Sequence, residues 1–124
     1  MTTIKVPIPP SANHIHAYAK GRVRRSHNYQ TWLTQCRFLL GNPTPVFGIV
    51  TVAIEVSGGK GWRANRDLDN IIKPILDLLR HLGIIEEDNT GFVHGISVNF
   101  RPPARKTDEA EVIITVKAVI TDEK

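Results

Sequence analysis

Apolar and polar residues alternate over residues 2–8, where Ile4, Val6 and Ile8 share one side of an extended chain and Pro9-Pro10 closes the segment. Over about residues 28–40 the interval changes. Tyr29, Trp32, Leu33, Cys36, Leu39 and Leu40 recur at helical spacing, and Gly41-Asn42-Pro43-Thr44-Pro45 ends the run. Residues 47–57 carry the clearest strand pattern, with Val50, Val52, Ile54 and Val56 facing one way before the turn Ser57-Gly58-Gly59-Lys60-Gly61. A second amphipathic helix is predicted over about residues 70–82. Its buried stripe is Ile71, Ile72, Ile75, Leu76, Leu78, Leu79 and Leu82, and Gly83 is placed to end it. Residues 92–100 and 111–120 read as two further strands. Residues 9–27 form a long polar connection, of a length usually kept for function or mobility. The order β-α-β-α-β-β predicts an α+β fold, two helices packed on one mixed sheet, as a single domain over residues 1–124.

Composition narrows the class. The 41% apolar and 23% charged fractions are those of an ordinary folded domain. One cysteine, Cys36, excludes an internal disulfide framework and a cysteine-rich zinc site. No apolar run approaches the ~18 residues of a membrane span. Residues 1–7 lack the apolar stretch of an export signal, so a cytoplasmic protein without a membrane partner is expected.

The net charge of +4 conceals an asymmetry. Residues 1–66 carry nine Lys/Arg and one acid, Glu55, whereas residues 67–124 carry seven Lys/Arg and 11 acids. Clustered cations gain affinity for nucleic acid by releasing phosphate counterions, so the first half predicts a polyanionic partner. The acidic half would repel that partner unless its carboxylates bind cations or face elsewhere.

The densest chemistry lies in Arg66-Asp67-Leu68-Asp69-Asn70-Ile71-Ile72-Lys73. Two carboxylates at i and i+2 share a side only on an extended chain, so Asp67 and Asp69 can share a cation if the helix starts after them. Asp69 or Asn70 is also a favourable N-cap, which accounts for one acid and not the other. Lys73 and Asp77 follow Asp69 at intervals of four, on the expected polar face of the helix. Glu86-Glu87-Asp88 reads as a solvated acidic turn when taken alone. Extended, residues 83–88 match the helix in length, so Asp88 is expected to return to the Asp67/Asp69 end. Three hard oxygen donors suit Mg²⁺ or Mn²⁺, and a cation of that kind activates water against a phosphodiester. Lys73 is suited to the charge that develops on the phosphate. Together with the basic half, these groups point to a nuclease.

The run Arg66-Asp67-Leu68-Asp69-Asn70-x-x-Lys73, followed by Asp88, resembles the signature of the RusA family of Holliday junction resolvases. Pro9-Pro10-Ser11-x-Asn13 and the basic loop Lys20-Gly21-Arg22-Val23-Arg24-Arg25 also match that family's layout. The resemblance covers nearly the whole chain. It implies a homodimeric, Mg²⁺-dependent endonuclease that cuts four-way DNA junctions by paired incisions, in recombination and repair and often of phage or prophage origin. It assigns metal-binding, catalytic roles to Asp67, Asp69 and Asp88 and an essential cationic role to Lys73. Pro74 directly after the lysine departs from the family pattern. So do Arg63 and Arg66, which Ala64-Asn65 separates where the family has a solid basic run.

Arg22, Arg24, Arg25, Arg63 and Arg66 are the expected DNA-backbone contacts. Trp62, between Gly61 and Arg63, is an aromatic able to stack on an exposed base. His14-x-His16, His27, His81 and His94 lack the spacing of a zinc set and read as surface or phosphate-contacting groups. Cys36 falls on the apolar stripe of the first helix, as a buried structural thiol. Two rival classes are a DNA-binding architectural module, whose acids merely cap a helix and solvate a turn, and a small metal-dependent nucleotide phosphohydrolase. No protein partner other than a second copy is inferred.

Overall fold

The computed structural model describes residues 1–10, 16–19, 22–25 and 27–120, with 16–19 and 22–25 described by their backbone alone. The elements are β1 (Thr2–Pro7), β2 (His16–Ala19), β3 (Arg22–Arg25), α1 (His27–Leu40), β4 (Val50–Ser57), α2 (Ile72–His81), β5 (Val93–Arg101) and β6 (Glu111–Ala118). A 3₁₀ turn, Leu68–Ile71, leads into α2. The fold is α+β, two helices on a four-stranded mixed sheet of order β1-β6-β4-β5. β6 runs antiparallel to both β1 and β4, and β5 runs parallel to β4. A parallel pair needs a crossover, and α2 supplies it.

One face of the sheet is apolar because period-two alternation holds in three strands at once. Ile4 and Val6 of β1, Val50, Val52, Ile54 and Val56 of β4, and Val112, Ile114 and Val116 of β6 are all buried. Tyr29, Trp32, Leu33 and Cys36 of α1 and Ile75, Leu78 and Leu79 of α2 join them in one core. The other face is polar, with Lys5 and Glu111 at 3.6 Å and Arg101 and Glu55 at 3.1 Å. Trp32 is pinned by an indole N–H that donates to the Pro7 carbonyl at 2.9 Å.

Residues 16–25 depart from the expected plain connection, because β2 and β3 pair antiparallel as a two-stranded ribbon of their own. The second helix also begins differently from expectation. Leu68 and Ile71, three apart, eclipse one another only in a 3₁₀ turn, which lets both turn inward, and the chain tightens there before α2 starts. Gly83 ends α2 as predicted. With φ of +72° it lets the Ile84 N–H reach back to the Leu79 carbonyl at 3.0 Å.

Gly59 matters for a different reason. The Lys60 N–H donates to the Asp108 carbonyl at 2.8 Å, and the Ala110 N–H donates to the Lys60 carbonyl at 2.9 Å. These bonds stitch the turn after β4 to the approach to β6. A Cβ on Gly59, at φ of +148°, would overlap the Asp108 carbonyl. Gly59→Ala is therefore expected to lower stability by about 2 kcal/mol, read as a shift in the urea midpoint at unchanged slope.

Burial pushes the Cys36 thiol up to about 12. The native thiol should resist alkylation at pH 8 and react on unfolding. The folded state favours the neutral thiol, so its contribution is complete below about pH 9 and is lost as pH rises toward 12.

Candidate functional site

Asp67 has extended backbone, φ −79° and ψ 141°, and occupies the cap position of the 3₁₀ turn without a side-chain cap bond. Ile71 holds the cap position of α2. The expected capping by Asp69 or Asn70 is thus corrected: both lie inside the 3₁₀ turn, past the position where a side chain can reach the free amides. The pair also shares no extended segment, since the turn begins between the two acids. Among the described residues the carboxylates of Asp67, Asp69 and Asp88 take part in no ion pair or side-chain hydrogen bond.

Lys73 stands in the first turn of α2, its side chain 58% exposed, with Nζ 3.7 Å from Asp77 Oδ1. Asp77 was expected on the polar face beside it. It is buried instead, because α1 packs alongside and the Tyr29 hydroxyl donates to Asp77 Oδ2 at 3.0 Å. Arg80 Nη2 lies 3.9 Å from the other oxygen. Asp77 therefore ties α1 to α2 and pairs with the Lys73 ammonium, a role that helical spacing by itself does not disclose.

Asp88 does not return to the head of α2. Residues 84–92 are consumed in turns: the Phe92 and Val93 N–H groups both donate to the Asn89 carbonyl. The Val46 N–H donates to the Ile84 carbonyl and the Gly48 N–H to Glu86 Oε2, fixing this stretch at the start of β4. Asp88 thus lies near the first residue of β5. Arg66 and Leu68, which flank Asp67, line one cavity with Phe100 near the last residue of β5. The nine residues of β5 separate the two positions by roughly 25 Å. Among the described residues no three His, Cys, Asp or Glu side chains stand together to hold a metal ion.

The arginines divide. Arg66 Nη2 donates to the Pro9 carbonyl at 2.7 Å, and its guanidinium lies 4.9 Å from the Trp62 ring centroid. Burial lowers its affinity for the proton, and its Nε is buried without a partner. Arg66 is a clamp between the N-terminal segment and the loop after β4. Arg63 is exposed. Arg22, Arg24 and Arg25 belong to β3, and their side chains lie outside the described residues, as do His14 and the side chain of His16. Trp62 is half-buried, 6.0 Å from the Phe100 ring and covered by Arg66. Its ring is thus held in a cluster with Phe100 and Arg66.

No protein-family model matches this chain, and none of the curated proteins matches it. No helix among the described residues is long and apolar enough to cross a membrane.

Proposed function

We propose that this chain is a cytoplasmic, structure-selective endodeoxyribonuclease of the RusA type, which resolves four-way DNA junctions as a homodimer. The observation that carries the reading is the freedom of Asp67 and Asp69. Their side chains do not cap a helix, as an architectural module would have them do, and among the described residues they pair with no cation. They face the solvent at the head of α2, one turn before a half-free lysine, in a chain whose other half is strongly basic.

On this reading a dimer accommodates the distant position of Asp88. β5 is an edge strand, and Ile96 (40% exposed) and Phe100 (43%) leave apolar surface beside its free edge. A two-fold axis across the middle of β5 pairs it antiparallel with its copy, so the first residue of one strand meets the last of the other. That arrangement carries Asp88 of the partner subunit toward Asp67 and Asp69, and does so twice, giving two sites for two incisions.

The donor set is chemically suited to Mg²⁺ or Mn²⁺, being three uncommitted carboxylates, hard oxygen ligands that leave coordination positions for water and phosphate. A divalent cation there supplies Lewis acidity toward the phosphate and toward water. The chain's own groups do the rest. Lys73 offers its ammonium to the phosphate oxygens as charge builds on them, and Asp77 limits where that ammonium can swing. Arg63 and the β3 arginines, on this reading, hold the DNA backbone and give binding its salt dependence. Labelled four-way junction and matched linear duplex, each incubated with Mg²⁺ or with EDTA, test the proposal. Mg²⁺-dependent, paired cutting of the junction is expected. Binding without scission identifies an architectural module, and hydrolysis of free nucleotides in place of DNA identifies a phosphohydrolase.

A further inference from the structure

We propose that the cavity between α1, residues 7–10 and the turn after β4 binds one unstacked deoxynucleotide; this rests on the endonuclease reading and makes the cavity the reader of a base beside the cut. The cavity has a volume of about 480 Å³, within the range of small-molecule sites. Arg66 lines it and directly precedes Asp67, so the cavity and the acidic pair meet at adjacent residues of the chain.

The lining matches the parts of a nucleotide. Half-buried Ile8 and Pro10 make an apolar wall, on which a base face can rest, and buried Pro9 and Trp32 back it. Trp32 is a rigid part of it, because its indole N–H is already bonded to the Pro7 carbonyl. Asn28, Thr31 and Gln35 stand three and four residues apart on one exposed face of α1 and turn amide and hydroxyl groups into the same space. Side-chain amides pair with base edges, donating and accepting at once. Lys60 and Arg66 supply positive charge for a phosphate. Glu109 also lines the cavity and forms no ion pair among the described residues, leaving its carboxylate to accept from an exocyclic amino group. A simple anion would use the two cations and leave the amides, the carboxylate and the apolar wall idle. Thymine alone carries no exocyclic amino group, so it offers Glu109 no such donor and sets its carbonyls against the carboxylate.

Chemical-shift titration of the full chain in EDTA tests this without cleavage. The chain has two tryptophans, so the indole N–H signals report separately on the cavity wall and on the Trp62 cluster. The probes are dAMP, dCMP, dGMP, dTMP and 2-deoxyribose 5-phosphate. The three amino-bearing nucleotides should shift the Trp32 indole signal and bind about tenfold tighter than dTMP, with the sugar phosphate weaker still. Thr31→Phe, at an exposed helix position, should fill the cavity and abolish the shift while the remainder of the spectrum stays native. Equal affinity for the sugar phosphate and the nucleotides overturns the proposal, as does nucleotide binding that survives Thr31→Phe. A protein that cuts junctions and binds no nucleotide loses this inference alone. One that binds nucleotides and cuts no DNA loses the endonuclease reading and keeps the cavity as a nucleotide site.

Discussion

Mixing Asp69→Asn protein with Asp88→Asn protein is expected to restore strand nicking that neither variant performs alone. Each substitution keeps the side chain's shape and removes a charge that a hard cation requires, so each pure variant should lose Mg²⁺-dependent cutting by about a thousandfold or more. Asp69 is exposed and caps nothing, so folding should survive. DNA binding in EDTA should persist, and should strengthen slightly as a negative charge beside the phosphate is removed. In a mixed dimer of the proposed geometry one site inherits both substitutions and the other inherits neither. Random association makes about half of the dimers mixed, each with one intact site, so about a quarter of wild-type nicking should return. The product should be nicked junction and not resolved duplex, since paired incision needs both sites. A mixture as inert as its parents would show that the three acids do not meet across two copies of β5.

Ile75→Ala is expected to be the most damaging of the simple truncations. Ile75 is fully buried where α2 lies on the sheet, and it shares the core with Ile71, Leu78 and Leu79. Removing its outer carbons forfeits burial and leaves a cavity that close-packed neighbours fill only in part, at a cost of about 2–5 kcal/mol. For a domain of this size that is a fall in Tm of roughly 8–20 °C by circular dichroism. Leu39→Ala, on the 61% exposed side of α1, is the control and should move stability by about 0.5 kcal/mol or less. The helix that Ile75 anchors also carries Lys73 and follows directly on the acidic pair. Loss of activity below the melting transition would therefore report displacement of α2 and not global unfolding.

The elements that the sequence discloses are those whose periodicity is enforced by burial. In β4 every second residue faces the core, and in α1 four residues at helical intervals do so, so their patterns are strict. β2 and β3, His-Ala-Tyr-Ala and Arg-Val-Arg-Arg, form a ribbon apart from the main sheet and need no apolar alternation, which leaves a polar connection as the natural reading. The 3₁₀ turn at Leu68–Ile71 escapes notice because its apolar spacing of three also occurs in an α-helix. The candidate site residues are legible by type and not by position. Contour length sets only the farthest point that residues 83–88 can reach, and the turns around Asn89 use that length in place. Asp77 is the converse: spacing puts it beside Lys73, and only the packing of Tyr29 from a distant helix shows that it is buried.

The strand order has a consequence for how the chain is made. β6 lies between β1 and β4 in the sheet yet follows every other strand in the chain. During synthesis β1 emerges first and waits for its hydrogen-bonding partner until about the hundred-and-tenth residue has been added. Until then one edge of β4 is bare as well, beside a second edge that can only be closed through a crossover. Pairings between such distant segments form slowly, because the loop must close before any contact rewards it. The nascent chain therefore carries two apolar strands with exposed backbone, β1 and β4, whose safest neighbour is the last to arrive. Expression at low temperature or with chaperones that shield open strands should raise the yield of folded protein, and truncation anywhere before β6 should send the product to inclusion bodies.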